Sequence, residues 1–165
     1  MENELMRIVS DATQYCAAVE NARESEKEDF VKYMLRVLPQ IYLDFATVGK
    51  EEVGEFDYGF YQTYVDEEWY ESVRRGIERL MGPDDTFLET FEQDMKYSDT
   101  PIASSVSESL ADIYQPLYNF IMIVRETEGS ELVGAYLECH ENFETYWSQT
   151  LCNVLRALNN IRYGS

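Results

Sequence analysis

The chain of 165 residues carries 32 acidic against 13 basic side chains, a formal net charge of −19, with 45% hydrophobic and 27% charged residues. That length suits one domain (residues 1–165) with a real core, and the balance of apolar to charged residues excludes a disordered chain. The charge opposes direct binding to nucleic acid, where Lys and Arg must displace phosphate counterions, and to anionic membranes; a basic protein partner, or solubility alone, suits it better.

The first predicted element, Glu4 to Ala22, places Leu5, Ile8, Val9, Ala12, Tyr15, Cys16 and Val19 on one face of an amphipathic helix. A second helix is predicted to open at Ser25, with Glu28 completing a capping box. Phe30, Met34, Val37, Ile41, Phe45 and Val48 form its stripe, and Val31, Leu35, Leu38 and Tyr42 a second row beside it. Lys32, Arg36, Gln40 and Asp44 are left as a narrow polar strip. A helix so apolar around its circumference should be central. Pro39 removes one hydrogen bond inside it and predicts a kink or a break.

Residues 49–65 differ in kind. Gly49, Gly54 and Gly59 interrupt them, four carboxylates charge them, and Phe56, Tyr58, Phe60, Tyr61 and Tyr64 are interleaved. The pattern predicts an irregular connection within the domain, since a disordered tether would not hold so many aromatics. Those five aromatics are the candidate interaction residues, because tyrosine anchors gain contact area at low entropic cost. The alternative is that they fold back and seal one end of the core.

A third helix is punctuated by the cap Asp66 and the stop Gly82-Pro83, with Trp69, Val73, Ile77 and Leu80 on its face. Arg74, Arg75 and Arg79 are the densest positive cluster, and Glu71 and Glu78 stand ready to neutralise them. A short helix over Asp84 to Met95, built on Phe87, Leu88 and Phe91, and a turn at Asp99-Thr100-Pro101 follow. The fourth helix opens with a capping box, Ser105 and Glu108. Its stripe is Val106, Leu110, Ile113, Leu117, Phe120 and Val124, and Pro116 predicts a second kink. Gly129-Ser130, a stop glycine and a cap serine, predicts an antiparallel αα-hairpin into a last helix from Glu131 to Ile161, about 45 Å long. Its face carries Leu132, Tyr136, His140, Phe143, Trp147, Val154 and Leu158. The expected fold is therefore all-α, an irregular helical bundle of about five main helices.

Ser105 to Gln115, with its Leu110-Ala111-Asp112-Ile113-Tyr114-Gln115 core, together with Trp147 and Val154-Leu155-Arg156-Ala157-Leu158, resembles the bacterial domain-of-unknown-function family numbered 5063. Gly82 and Asp84-Asp85 fit the same pattern, and the similarity runs from the second helix onward. The resemblance implies a helical protein and carries over no catalytic residue. Pro116, directly after the motif, departs from the helix-compatible polar residue expected there.

The chemistry-bearing residues give no catalytic and no metal site, and no cofactor is implied. His140 adjoins Cys139, but adjacent helical residues diverge by about 100°, so the two form no nucleophile–base pair. Glu138, Glu141 and Glu144 lack the Glu-x-x-His repeats of a di-metal bundle. Cys16, Cys139 and Cys152 are expected as free, buried thiols of a reducing compartment. Met1-Glu2-Asn3-Glu4 shows no signal-peptide pattern and no apolar run is long enough to span a bilayer, so the expected location is the cytoplasm. The favoured function is a non-catalytic protein-interaction domain for a basic partner, using a groove beside the kinked helices. The alternative is a small-ligand protein or enzyme with a Tyr- and carboxylate-lined pocket between helices, and an acidic nucleic-acid mimic ranks third.

Overall fold

A computed structural model describes residues 1–54, 56–88 and 103–164. It shows an all-α bundle: α1 (Glu2–Glu20), α2 (Lys27–Thr47), a single turn α3 (Lys50–Val53), α4 (Glu67–Met81), α5 (Val106–Glu126), α6 (Leu132–Asn142) and α7 (Ser148–Tyr163). The apolar stripes drive this arrangement, since each amphipathic face must be hidden against another helix. Leu5, Ile8, Ala12, Tyr15, Cys16 and Val19 of α1 are all buried, as their spacing predicts. α5 packs against α1, α4, α6 and α7, while α2 packs against α1 and α7. The central helix is thus α5, not α2, whose Tyr42 and Leu43 remain exposed.

Both prolines lie inside unbroken helices, so the break considered at Pro39 does not occur. The cap expected at Ser25 does not form either. Its hydroxyl donates to the Asn21 carbonyl across a 3-10 turn (Ala22–Glu24), and α2 starts after Glu26. Asp66 does cap α4, accepting from the Trp69 N–H at 2.8 Å. Ser105 caps α5, accepting from the Glu108 N–H at 3.0 Å. A second cap was not expected: the buried Asp85 carboxylate accepts from Ser107 N at 2.8 Å and from its hydroxyl at 2.7 Å. It complements the free N–H groups and the positive end of the α5 dipole.

Where the sequence predicts a short helix from Asp84, the chain instead makes a 3-10 turn (Gly82–Asp85) and a strand, β1 (Thr86–Leu88). β1 pairs antiparallel with β2 (Ala103–Ser105), Phe87 opposite Ser104. Three-residue strands are too short to show alternation in sequence. Phe91 and the Asp99-Thr100-Pro101 turn lie outside the described residues. Gly129 takes φ +85° and ends the α5 exit turn, but Glu131, not Ser130, is the N-cap of α6. The hairpin is antiparallel: Phe120 meets the Tyr136 ring at 5.9 Å, and one turn back on α5 Pro116 meets Cys139, one turn on along α6. The long last helix is real from Leu132 to Tyr163 but is interrupted by a π-helical turn at Phe143–Trp147. No helix among the described residues is long and apolar enough to cross a membrane.

Candidate functional site

α5 and α6 do not close on one another along their whole length. A cleft of about 360 Å³ lies between them, lined by Pro116 on one side and by Tyr146 and Trp147 of the π turn on the other. Each irregularity follows from local chemistry. Pro116 has no N–H, so the Asp112 carbonyl lacks the donor that a residue four on normally supplies. The π turn departs from the i→i−4 ladder, and such turns are frequent at functional sites. Thr63 of the 54–66 connection lies at the edge of the cleft.

The lining is polar on both helices. α5 presents Asp112, Gln115 and Asn119, three and four residues apart; α6 and the π turn present Glu138, Asn142 and Tyr146, four apart. Asp112 is held from both sides, accepting from Tyr70 Oη at 2.5 Å and from Tyr146 Oη at 3.1 Å. Burial, followed by that hydrogen bond and the charge of Asp112, drives the Tyr70 phenol far above its ordinary pKa, so it stays a donor. Asn119 Oδ1 accepts from the Tyr64 N–H at 2.8 Å and the Val65 N–H at 3.3 Å, which docks the connection and leaves the amide Nδ2 for the cleft.

Glu138 is different. Among the described residues no hydrogen bond or ion pair engages its half-buried carboxylate, and burial and then the neighbouring Glu141 raise its pKa. No Lys or Arg among the described residues lines the cleft. Cys139 also faces it, but its thiol donates toward the Pro116 carbonyl at 3.7 Å. Burial pushes the pKa of that thiol far up, so it is a neutral wall rather than a nucleophile. The apolar part of the wall is Phe120, Ile123, Ala135 and Trp147.

The family model for a domain of unknown function, DUF5063, matches residues 1–164. The chain belongs to the DUF5063 family. The match takes in α1, which lies outside the resemblance read from the sequence. The crystal structure of protein BF1032 from Bacteroides fragilis is similar, with a TM-score of 0.83 and 28% identity over 98% of this chain and 94% of that one. No curated protein matches the chain.

In this DUF5063 domain the five candidate aromatics of the connection split into two groups. Tyr58 Oη donates to Glu141 at 2.8 Å and Tyr61 Oη to Glu131 at 2.9 Å; the two rings stack at 6.1 Å over Gly134 of α6. Tyr64 is half-buried through its backbone bond to Asn119. Phe56 is 43% exposed, its ring edge lying over Gly134 beside the tyrosines, whereas Phe60 is 98% exposed and reaches out to solvent. His140 is turned away from the cleft. It is 8% exposed, with Nε2 at 2.9 Å from the Phe45 carbonyl and Nδ1 at 3.1 Å from Glu144. Cys16 and Cys139 are buried, but Cys152 is exposed, which corrects the expectation of three buried thiols. Its position on α7 faces away from the Leu151, Val154 and Leu158 stripe. Arg74 is neutralised internally, at 3.1 Å from Glu71 and 2.9 Å from Glu78.

Reasoning from sequence missed Asp112, Gln115, Asn119, Glu138, Asn142 and Tyr146 as one site. A signal existed: polar residues recur at helical spacing beside the apolar stripe on both arms of a predicted hairpin.

Proposed function

We propose that the domain is a binding module whose α5–α6 cleft receives a compact cationic group, an amine or a guanidinium. The observation that carries this reading is the half-buried Glu138 carboxylate, which faces the cleft without a partner among the described residues, where no basic side chain lines it. An unpaired carboxylate in partly desolvated surroundings is costly, and a ligand cation that pairs with it removes that cost. Trp147, Phe120 and Tyr146 offer ring faces and edges suited to the same cation. The net charge of −19 draws cations toward the molecule from a distance. Binding is favoured over catalysis because the cleft thiol is held neutral and the lone histidine is engaged elsewhere.

Calorimetric titration at low salt with butylamine, agmatine and an arginine-containing tripeptide amide tests the proposal. Glu138→Gln keeps the shape and removes the charge, and should weaken binding about tenfold, a difference of ~1.4 kcal/mol. Equal affinity for parent and variant, or no binding of any of the three, overturns it. Preference for the peptide over the free amines identifies a basic protein segment as the source of the cation. The reverse identifies a small-molecule amine.

A second reading rests on Phe60, which is 98% exposed on a connection otherwise tied down by Tyr58 and Tyr61. A fully exposed phenylalanine between two anchored tyrosines suits an anchor for a protein partner. If the arginine peptide binds, Phe60→Ala should weaken a longer basic peptide while leaving butylamine affinity unchanged.

A further inference from the structure

Two carboxyl groups on facing helices present a polar problem that the cleft does not involve. Asp44 of α2 is 1% exposed, although its place in the polar strip of that helix predicts solvent. Its Oδ1 accepts from Arg7 Nη1 at 2.7 Å and from Gln40 Nε2 at 3.1 Å. Its Oδ2 is sealed from water and has no donor among the described residues. Asp11 stands one turn along α1 from Arg7, on the face that meets Asp44, and Asp11 Oδ2 is likewise sealed without a donor among the described residues.

Two ionised carboxylates only accept, so they cannot satisfy each other. A single proton removes both orphans at once: the neutral carboxyl donates, the ionised one accepts, and Arg7 balances the charge that remains. We propose that Asp11 and Asp44 share one proton and so form a pH-gated clasp between α1 and α2, fastened while the proton is present. No catalytic step or cleft residue takes part.

The charged groups acting on Asp11 are Asp44 and Arg7. On the α6 side the Tyr136 phenol feels the Asp44 charge, and it donates to the Val48 carbonyl. Burial first, then the hydrogen bond and charge of Asp44, raise Asp11 from 3.8 to about 6 against the pull of Arg7. A carboxyl whose folded pKa is raised gives stability that is fully present below about pH 4 and lost as the pH rises through about 6.

Hydrogen exchange of the α1 amides between about pH 4.5 and 7.5, corrected for the intrinsic pH dependence of exchange, reads this opening directly. The parent chain should open about tenfold more readily at the upper end; the full shift would give more, but Asp11 is only half-buried and solvent screens it. Asp11→Asn supplies a permanent donor to Asp44, and its profile should be flat. Parallel profiles for parent and variant overturn the proposal. Infrared difference spectroscopy of the folded parent against Asp11→Asn gives a second check, since the other carboxyls, Glu138 included, cancel. A neutral-carboxyl band present in the parent and missing from the variant at about pH 5, and lost from the parent by about pH 7.5, supports the shared proton; identical bands in the two at about pH 5 overturn it.

Discussion

α2 and α5 are near twins in sequence: 21 residues each, apolar over most of the circumference, with a proline near the middle. The structure uses them differently. Pro39 of α2 is exposed, so the carbonyl it leaves unpaired can turn to water. Pro116 of α5 lines the cleft, and the carbonyl it frees belongs to Asp112, whose side chain gathers two phenols there. The same covalent defect is silent on a solvent face and shapes a cavity on an interior face. α2 builds a dry wall instead: Phe45 meets Tyr136 at 5.1 Å, Phe143 at 5.5 Å and Trp147 at 4.9 Å.

The sharpest way to break that contrast is to remove one large ring from each helix. Phe45→Ala, in the wall of rings, should cost about 3–5 kcal/mol, the transfer of a phenylalanine plus the void left among Tyr136, Phe143 and Trp147. Phe120→Ala, at the cleft, should cost about 1–2 kcal/mol less, because its ring packs on Tyr136 alone of those rings and its other side borders the cleft. Urea denaturation midpoints at constant m-value measure both. Equal losses would mean that the cleft is closed in solution and that the two faces do not differ.

That contrast also marks how far the sequence could be read. Helical spacing gave the bundle, and the caps at Asp66 and Ser105 were legible because a cap is a local bond over three residues. Ser25 and Ser130 have the same local signature and do not cap, since a neighbouring turn took the serine hydroxyl or the start of the helix moved on. The π turn was invisible: Tyr136, His140, Phe143 and Trp147 keep a spacing that an unbroken α-helix also satisfies. Asp44 read as solvent-facing because its burial depends on Arg7, 37 residues away. The cleft required both arms of the hairpin to be placed together, and polarity on either arm alone looks like an ordinary wet face.

A smaller effect tests the strap that crosses α6. A Cβ on Gly134 would lie 2.0 Å from Tyr61 Oη, 3.0 Å from Tyr58 Cβ and 3.2 Å from Phe56 Cε1. Gly134→Ala gains ~1 kcal/mol of helix propensity, yet displaces the stacked tyrosines and weakens two phenol–carboxylate bonds worth about 1 kcal/mol each. A net loss of about 1 kcal/mol is expected. Limited proteolysis should cut between residues 54 and 66 sooner in the variant than in the parent, while the dry wall around Phe45 keeps its protection. Unchanged cleavage would show that the connection is held from α5, through Asn119 and Gln115, and not by the tyrosine strap.

The smallest effects come from the prolines themselves and compare the two helices most directly. Pro39→Ala and Pro116→Ala each restore an N–H to the i→i−4 ladder, at Leu35 and Asp112 respectively. Each also gives freedom to the unfolded chain, worth up to ~1 kcal/mol in the opposite sense. The net change in stability should therefore be small and similar, within about 1 kcal/mol of the parent for both. Binding should separate them. In Pro116→Ala the re-formed bond engages the Asp112 carbonyl beside the cleft and alters the wall that carries Asp112 and Gln115, so butylamine affinity falls several-fold, whereas Pro39→Ala alters another helix and leaves it unchanged. If both variants bind as the parent does, Pro116 is a second tolerated defect like Pro39, and the cleft owes its shape to the π turn alone.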